Sequence, residues 1–203
     1  INKKIASQIN KNFLEVILAK GFDKESLKIL KSKKNLRVID ISNFKLKNHT
    51  SIKSFDGSFL LQGKNTIVID KKKLRCVTKL KPNKKDLAEI QFAFNICKHV
   101  KSNAIVLCNS FSTIGIGAGQ PSRLDSCKIA VQKAKQFQFS KIKNSIAASD
   151  AFFPFTDGIN ILIKAGVKTI IQPGGSIRDR EVINAANKAK IKMLFTGIRH
   201  FNH

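Results

Sequence analysis

The segment from Thr169 to Thr196 constrains the fold of this chain more than any other. Thr169–Gln172 is a short apolar run typical of a buried strand, Pro173-Gly174-Gly175 is a sharp loop, Ser176 begins a helix, and a last strand runs from Met193 to Thr196. Two strands joined through a helix need a crossover connection, which favours parallel pairing. The sequence therefore predicts an α/β fold with three layers, helix–sheet–helix, around a mixed and largely parallel sheet.

The rest of the chain continues this alternation. Upstream helices are predicted at residues 2–12, 24–32, 86–98 and from about 122, with one from 157 to 166, and strands at 13–19, 36–40, 58–62, 66–70, 76–79, 104–108, 113–117 and 146–153. Residues 13–19 are expected to form a buried strand. Ser122 with Asp125, and Ser176 with Asp179, have the spacing of helix-capping pairs.

The charge of the chain suggests a second class of function. There are 38 Lys and Arg against 13 Asp and Glu, a net charge of +25, which is typical of a nucleic-acid-binding module. Only six of the basic residues are Arg, and Lys is scattered through every segment, while all aromatic residues are Phe in mostly apolar runs. A basic nucleic-acid-binding module therefore remains the alternative, but we expect no nucleic-acid partner.

Cysteine spacing and hydropathy limit the cellular context. Cys76, Cys97, Cys108 and Cys127 form no C-x-x-C pair, so we expect neither a zinc ribbon nor a dense disulfide framework, but reduced and mostly buried thiols. No apolar run reaches the roughly 18 residues of a membrane span, and no signal peptide is seen, so we expect a cytoplasmic protein without a membrane partner. Because the chain begins with Ile1, we expect it to be a fragment of a longer protein.

Three segments have the residue types of a binding site. Gly115–Arg123 is a glycine-rich strand end that leads into a helix, where free N–H groups and Arg123 favour an anion; a tight turn with a solvated Arg is the alternative. Ser149–Asp157 places three Phe and a Pro between two Asp. This pattern suits an aromatic pocket wall that holds a flat heterocycle, with an acid that binds its ring nitrogens. The alternative is a hydrophobic staple that packs onto the next helix. The third candidate segment is Gln172–Ile177 together with Arg199–Phe201. The alternative there is a plain turn with a basic tail.

Together these segments resemble one enzyme family. The matching motifs, in order along the chain, are Lys101–Ala104, Gly117–Gln120 with Ser122-Arg123, Ser149–Phe155 with Asp157, Gln172–Arg178 and Thr196–His203. They resemble the bifunctional purine biosynthesis enzyme, AICAR transformylase/IMP cyclohydrolase, in the C-terminal part of its transformylase region. AICAR is 5-aminoimidazole-4-carboxamide ribonucleotide.

The resemblance implies a function and an organisation. The transformylase passes the formyl group of 10-formyltetrahydrofolate, its co-substrate, to the AICAR amine, and the cyclohydrolase closes the ring to IMP. The implied fold is a duplicated cytidine-deaminase-like fold without the deaminase zinc, so we expect no metal in the active site. The implied assembly is a homodimer with shared active sites. Residues 1–99 would then be the end of a first subdomain with a connecting segment, and residues 100–203 a second subdomain, with the cyclohydrolase domain outside this chain.

The resemblance also assigns roles to individual residues. Asn103 is implied to support catalysis near the reacting amine. The residues implied at AICAR are Glu15, Asn103, Arg123, Phe152 and Arg199. The residues implied at the folate are Leu124, Pro154, Asp157, Ser176 and Ile177.

The chain also departs from the family pattern. The Lys-His pair whose His acts as general base is expected upstream; Lys98-His99 stands in a different context. Thr156 stands where the family usually has Arg. We therefore expect these 203 residues alone to have no appreciable turnover.

Overall fold

The computed structural model describes residues 1–45, 50–63 and 65–202. The chain divides into two compact units, residues 1–64 and residues 65–203. His49 and His203 lie outside the described residues.

The first unit is a small α/β segment followed by a hairpin. Its elements are α1 (Lys3–Asn10), β1 (Val16–Ala19), α2 (Lys24–Lys31), β2 (Arg37–Asp40), β3 (Ser51–Phe55) and β4 (Ser58–Gln62). The β1 and β2 strands pair in parallel, and β3 and β4 form an antiparallel hairpin. Asn2 and Asp23 cap α1 and α2 through their side-chain oxygens, and the core is small, with Ala6, Ile17 and Leu30 buried.

The predicted helices and strands of this unit are present, but the prediction of a buried strand at residues 13–19 is wrong in one respect. Ile17 is buried, whereas Val16 and Leu18 are exposed. The two outward-facing side chains lie on the face of β1 opposite Ile17, because successive side chains of a strand point to opposite faces.

The second unit is built on one six-stranded sheet. Its elements are β5 (Arg75–Cys76), α3 (Lys84–Cys97), β6 (Ile105–Asn109), β7 (Ser112–Gly117), α4 (Arg123–Gln138), β8 (Ile146–Ser149), α5 (Thr156–Ala165), β9 (Thr169–Gln172), α6 (Asp179–Lys188) and β10 (Lys192–Phe195). The strand order is β5-β10-β9-β8-β6-β7. The central strands β8, β9 and β10 are parallel, and β6 and β5 run against them. Since β7 is antiparallel to β6, four of the six strands share one direction.

Helices cover both faces of this sheet. Ile90 and Phe94 of α3 pack on one face, in a cluster with Val106 and Leu194. The other face holds α4, α5 and α6 over a larger cluster that includes Leu107. The predicted three-layer α/β fold with a mixed sheet is therefore confirmed.

Some local predictions fail. Residues 66–70 are not a strand. The α3 helix packs against β6 and β8, which includes residues 65–99 in the second compact unit, while the subdomain boundary at residue 99 stays a prediction from the resemblance. Within the described residues, the Ser122 side chain makes no hydrogen bond that caps α4. Ser176 does not cap α6 either, because it lies three residues before that helix begins at Asp179 and its hydroxyl accepts a hydrogen bond from the backbone N–H of Arg178.

The cysteine prediction agrees with the structure. The four cysteines are unpaired in the described structure, and Cys97, Cys108 and Cys127 are buried. Burial raises the pKa of Cys108 and of Cys127 to about 12, which keeps these thiols protonated. None of the helices in the described ranges has the length and apolar character needed to cross a membrane.

Candidate active site

Two adjoining clefts of the second unit hold most of the predicted site residues. The first, here called the polar cleft, has a volume of about 330 Å³, and its lining includes Asn103, Arg123, Leu124, Pro154 and Asp157. The second, the aromatic cleft, has a volume of about 440 Å³ and is lined by Phe152, Pro154, Phe155, Gly175, Ser176, Ile177, Arg178 and Arg199. Pro154 and Phe155 line both clefts, so one wall separates two adjacent spaces.

The topology explains this convergence. The loops after β8 and β9 leave the sheet at the carboxyl ends of parallel neighbours, and such ends lie together at one edge. The loop after β8 supplies Phe152 and Pro154, the first turn of α5 supplies Asp157, and the loop after β9 supplies Ser176 and Ile177. Glu15 lies apart in sequence and unit: it precedes β1 in the first unit, where it is exposed.

Arg123 is held by protein groups at the start of α4. Its Nη2 donates to Asp150 Oδ1 at 2.9 Å and to Asn103 Oδ1 at 2.8 Å, and its Nη1 donates to the Phe152 carbonyl at 3.0 Å. The side chains of Arg123 and Asp150 are 11% and 0% exposed. The alternative of a solvated Arg is therefore wrong, because Arg123 is fixed by an ion pair with the buried Asp150, while an anion site at this helix start stays a prediction.

The two acids that flank the Phe residues lie in different environments. The Asp150 carboxylate is fully buried. Its role is to fix Arg123, which in turn fixes Asn103 and the backbone of Phe152. Asp157, by contrast, lines the polar cleft and is exposed.

Asn103 has a fixed orientation. Its Nδ2 donates to the carbonyls of Gln120 and Pro121, at 2.8 and 3.0 Å, while its Oδ1 accepts from Arg123. This arrangement points a carboxamide of defined orientation at the polar cleft, with the oxygen made more polar by the neighbouring guanidinium.

Two glycines of the glycine-rich segment lie in β7, and both are needed for close packing against a helix. A Cβ on Gly115 would lie 2.1 Å from the Ala130 carbonyl oxygen, and one on Gly117 would lie 2.0 Å from the Ser126 carbonyl oxygen. Both oxygens belong to α4. The glycines let this helix lie directly on β7, which brings Arg123 at its first turn to the cleft.

The wall between the clefts consists of three Phe in different environments. Phe153 is 1% exposed and belongs to the core. Phe152 and Phe155 each lie under a guanidinium, with the Cζ of Arg199 and of Arg178 both 4.8 Å from the respective ring centroid. An aromatic ring faced by a cation is a suitable surface for a flat, electron-rich heterocycle.

The sequence analysis named the segments of three residues that shape this wall but predicted none of their contacts. Arg178 covers Phe155, and Gln172 accepts the Phe153 N–H at 2.9 Å through its side chain, although it is fully buried. The third contact is the ion pair of Asp150 with Arg123. The one available signal was the position of Gln172 and Asp150 directly at strand ends, where buried polar groups need partners.

His200 lies behind the site and is not placed to exchange protons with a ligand. It is 1% exposed, stacks on Phe94 at 4.6 Å between ring centroids, and accepts from Asn65 Nδ2 at Nδ1 over 2.8 Å. Burial, assisted by the nearby positive charge of Lys98, lowers the pKa of His200 to about 4. The imidazole is therefore neutral at pH 7, with its proton on Nε2.

The comparison with known proteins assigns this chain to a family. The family model described as AICARFT/IMPCHase bienzyme matches residues 1–133, which include the polar cleft residues Asn103, Arg123 and Leu124. This chain belongs to the AICARFT/IMPCHase bienzyme family. The resemblance that the five sequence motifs indicated is thereby confirmed.

Curated relatives match over the whole chain. The bifunctional purine biosynthesis proteins PurH of Aquifex aeolicus and of Leptospira biflexa are each 45% identical to it, over 203 and 204 residues, and PurH of a Nostoc species is 42% identical over 203 residues. Each match covers 100% of this chain and 39–40% of the relative. The chain thus spans about two fifths of the length of these PurH proteins.

Two solved structures resemble about half of the chain. RibD of Acinetobacter baumannii matches with a TM-score of 0.36 and 16% identity, over 53% of this chain and 34% of that one. A diaminohydroxyphosphoribosylaminopyrimidine deaminase/5-amino-6-(5-phosphoribosylamino)uracil reductase of Thermotoga maritima matches with a TM-score of 0.34 and 14% identity, over 52% and 33%.

Proposed function

We propose that this chain is the C-terminal part of an AICAR transformylase, which transfers the formyl group of 10-formyltetrahydrofolate to the amine of AICAR. The observation that carries the proposal is the pair of adjoining clefts, because every residue that family resemblance assigns to the nucleotide or the folate, except Glu15, lines one of them. Two large substrates that react with each other need neighbouring sites with a shared wall.

The residues divide the work as follows. Phe152 and Arg199 hold the nucleotide in the aromatic cleft, and Pro154, Leu124 and Asp157 hold the folate ring in the polar cleft. Ser176 and Ile177 contact the folate from the loop after β9. The resemblance assigns Asn103 and Arg123 to AICAR, and both line the polar cleft beside the shared wall, so the AICAR amine would lie there. Both Nδ2 protons of Asn103 are bonded to the Gln120 and Pro121 carbonyls, so its Oδ1, which accepts from Arg123, is the atom that can orient the N–H of the attacking amine.

The general base belongs to another part of the enzyme. Formyl transfer releases a proton from the amine, and a base within hydrogen-bonding reach must take it. Of the histidines in the described residues, His200 is buried and His99 is exposed at the end of α3, outside both clefts. This supports a base outside residues 1–203, as the family resemblance implies.

The remaining parts of the proposal concern the whole enzyme. We place the chain in a cytoplasmic homodimer whose subunits share active sites, with IMP cyclohydrolase as a second activity of the full-length protein. The two transformylase subdomains are assigned to residues 1–99 and 100–203 by resemblance; the compact units favour a boundary near residue 64, because α3 packs on the second sheet. Glu15 stays a predicted AICAR contact that rests on the resemblance alone.

The proposal is tested by assaying the full-length protein. AICAR and 10-formyltetrahydrofolate are mixed with it, and the release of tetrahydrofolate is followed. We expect turnover that falls in the Arg199→Ala variant together with weaker AICAR binding, and no loss in the Lys79→Ala control, which removes an exposed cation outside the clefts. Absence of formyl transfer by the full-length wild type overturns the proposal.

The isolated chain gives a second test. Without the base, proton removal passes to water, and we expect the 203-residue chain to be about 10²–10⁴-fold slower than the full-length enzyme. Equal rates would mean that a histidine of this chain is the base.

A further inference from the structure

A third cleft, here called the basic cleft, adjoins the aromatic cleft. It has a volume of about 460 Å³, and three cationic side chains line it, those of Lys73, Arg75 and Arg199. Its described lining residues include no carboxylate. Of the three cations, family resemblance assigns only Arg199 to a substrate.

The sheet positions Arg75 at this cleft. The antiparallel pairing of β5 with β10 places Arg75 directly opposite Phe195. Its guanidinium carbon lies 5.7 Å from the centroid of the Phe195 ring, a cation–π contact that holds the long side chain along the end of β10. Lys73 ends the 3₁₀ turn Lys71–Lys73 that leads into β5. Two cations therefore stand at the same sheet edge as the loop after β9.

The floor of the cleft is bare backbone. Gly174, Gly175 and Gly197 line it, and all three have positive φ angles, of +73°, +93° and +67°. At Gly174 a Cβ would lie 2.3 Å from the Phe195 ring, so the ring packs against the chain itself. Glycines in this conformation leave a surface that a ligand can approach closely.

The basic cleft continues the substrate site. It shares Gly175 and Arg199 with the aromatic cleft, so one ligand can occupy both. A flat ring held on Phe152 would have its charged end directed past Arg199 toward the other two cations. Three cations that line one open cleft favour an anion, and no carboxylate is among its described lining residues. The Asp179 carboxylate lies beside the cleft, where it accepts a hydrogen bond from the Gly175 N–H at 2.7 Å.

We propose that the basic cleft binds the anionic end of a substrate through Lys73 and Arg75. This inference rests on the proposed function, which supplies two substrates with such an end: the phosphate monoester of AICAR, and the carboxylates of the glutamyl tail of the folate. Both present anionic oxygens to the same cations, and the experiment distinguishes them.

The test compares two double variants of the full-length protein. Lys73→Gln with Arg75→Gln removes the two cations, and the matched control, Lys72→Gln with Lys79→Gln, removes the same charge from exposed neighbouring positions that do not line the cleft. Calorimetry measures the affinity of each for four ligands: AICAR, its nucleoside without phosphate, a monoglutamyl folate and a pentaglutamyl folate.

We expect either AICAR or the pentaglutamyl folate to bind about tenfold more weakly to the cleft variant, a loss of about 1.4 kcal/mol, because the exposed cations Lys73 and Arg75 no longer attract its anionic end. A loss confined to AICAR, with the nucleoside unchanged, identifies the phosphate. A loss confined to the pentaglutamyl folate identifies the tail.

The negative outcomes are distinct. If the cleft variant binds all four ligands as the control does, the basic cleft is not part of the site and this inference is wrong, while the proposed function stands. If the wild type binds neither AICAR nor folate, the proposed function fails and the inference fails with it.

Discussion

The two units of this chain bury their apolar residues to very different extents. In residues 65–202, helices cover both faces of the six-stranded sheet, and the large core residues Phe94 and Phe153 are 0% and 1% exposed. In the first unit, the core consists of three buried residues, and the hairpin β3–β4 has Phe59 71% exposed. Parallel pairs such as β1–β2 are normally covered on both faces.

The difference indicates which of the two units can fold by itself. In the second unit, its own helices cover both faces of the sheet, and the polar, aromatic and basic clefts all lie in this unit. In the hairpin of the first unit, Ile52, Phe59 and Leu61 project from one face, because Ile52 pairs with Leu61 and Phe59 lies two residues before it, and all three are exposed. Such a unit gains little free energy from burial by itself.

The largest expected effect comes from producing the units separately. Residues 65–203 should unfold cooperatively in urea, whereas residues 1–64 should show no cooperative transition, because three buried residues cannot offset the entropy of ordering that segment. Far-UV circular dichroism is the appropriate measurement, since the chain has no Trp or Tyr. A cooperative transition for residues 1–64 would remove the contrast between the units.

Matched phenylalanine substitutions measure the same contrast at single positions. Phe153→Ala should lower the free energy of unfolding of the second unit by about 3–5 kcal/mol, because it leaves a cavity in the core. Phe59→Ala in the exposed hairpin should change the free energy of unfolding by less than about 0.5 kcal/mol. Similar losses at the two positions, measured by urea unfolding of the whole chain, would show that the hairpin is packed in solution.

The buried ion pair gives an effect specific to the second unit. Asp150→Asn keeps the shape of the side chain but leaves the Arg123 cation buried without a counter-charge, which should cost about 3 kcal/mol. The control is Asp125→Asn, which removes an exposed partner of Lys128 and should cost under about 1 kcal/mol. Equal unfolding midpoints for the two variants would contradict the geometry of the site.

The smallest effect is a pH dependence that the first unit does not share. The pKa of His200 falls from 6.5 to about 4 on folding, so between these values the unfolded chain binds a proton that the folded one does not. Stability is full above pH 6.5 and is lost as the pH falls toward 4, by about 1 kcal/mol per pH unit. In the first unit, hydrogen bonds from Ser26 and Ser42 lower the pKa values of Asp23 and Asp40, so their contribution is lost only at lower pH.

This dependence can be assigned with one variant. Urea unfolding of residues 65–203 at pH 7, 5.5 and 4 should give a falling series for the wild type and a flatter one for His200→Gln. A steep series in the variant would mean that a different group titrates.

Local sequence patterns sufficed for the layers of the second unit but not for its long-range pairings. Apolar spacing in residues 86–98 predicted α3 and the face it buries, and the loop of Pro173–Gly175 predicted a crossover. The pairing of β5 with β10 joins segments more than a hundred residues apart, and two-residue strands such as Arg75–Cys76 have no periodicity to detect. The basic cleft depends on that pairing and was therefore missed.

The site shows the same limit. The positions of strand ends and motifs in the sequence predicted which segments form the site. The ion-pair partner of Arg123 could not be predicted from the residues next to it in the sequence. Asp150 is 27 residues away along the chain, and only the antiparallel pairing of β6 with β8 brings their segments together. The glycines at 115 and 117 were interpreted as an anion-binding loop because packing against a helix and binding an anion require the same small residue.

Those two glycines also affect how sequence variation in this region should be interpreted. A methyl group at either position would meet a helix carbonyl at about 2 Å, so Ala at residue 115 or 117 would push α4 outward. Arg123 stands on the first turn of that helix, and its bonds to Asn103 and Phe152 tolerate only small shifts. A natural Gly117→Ala variant would thus impair activity from a position that touches no substrate, and a clinical or evolutionary survey that counts only ligand contacts would classify it as neutral.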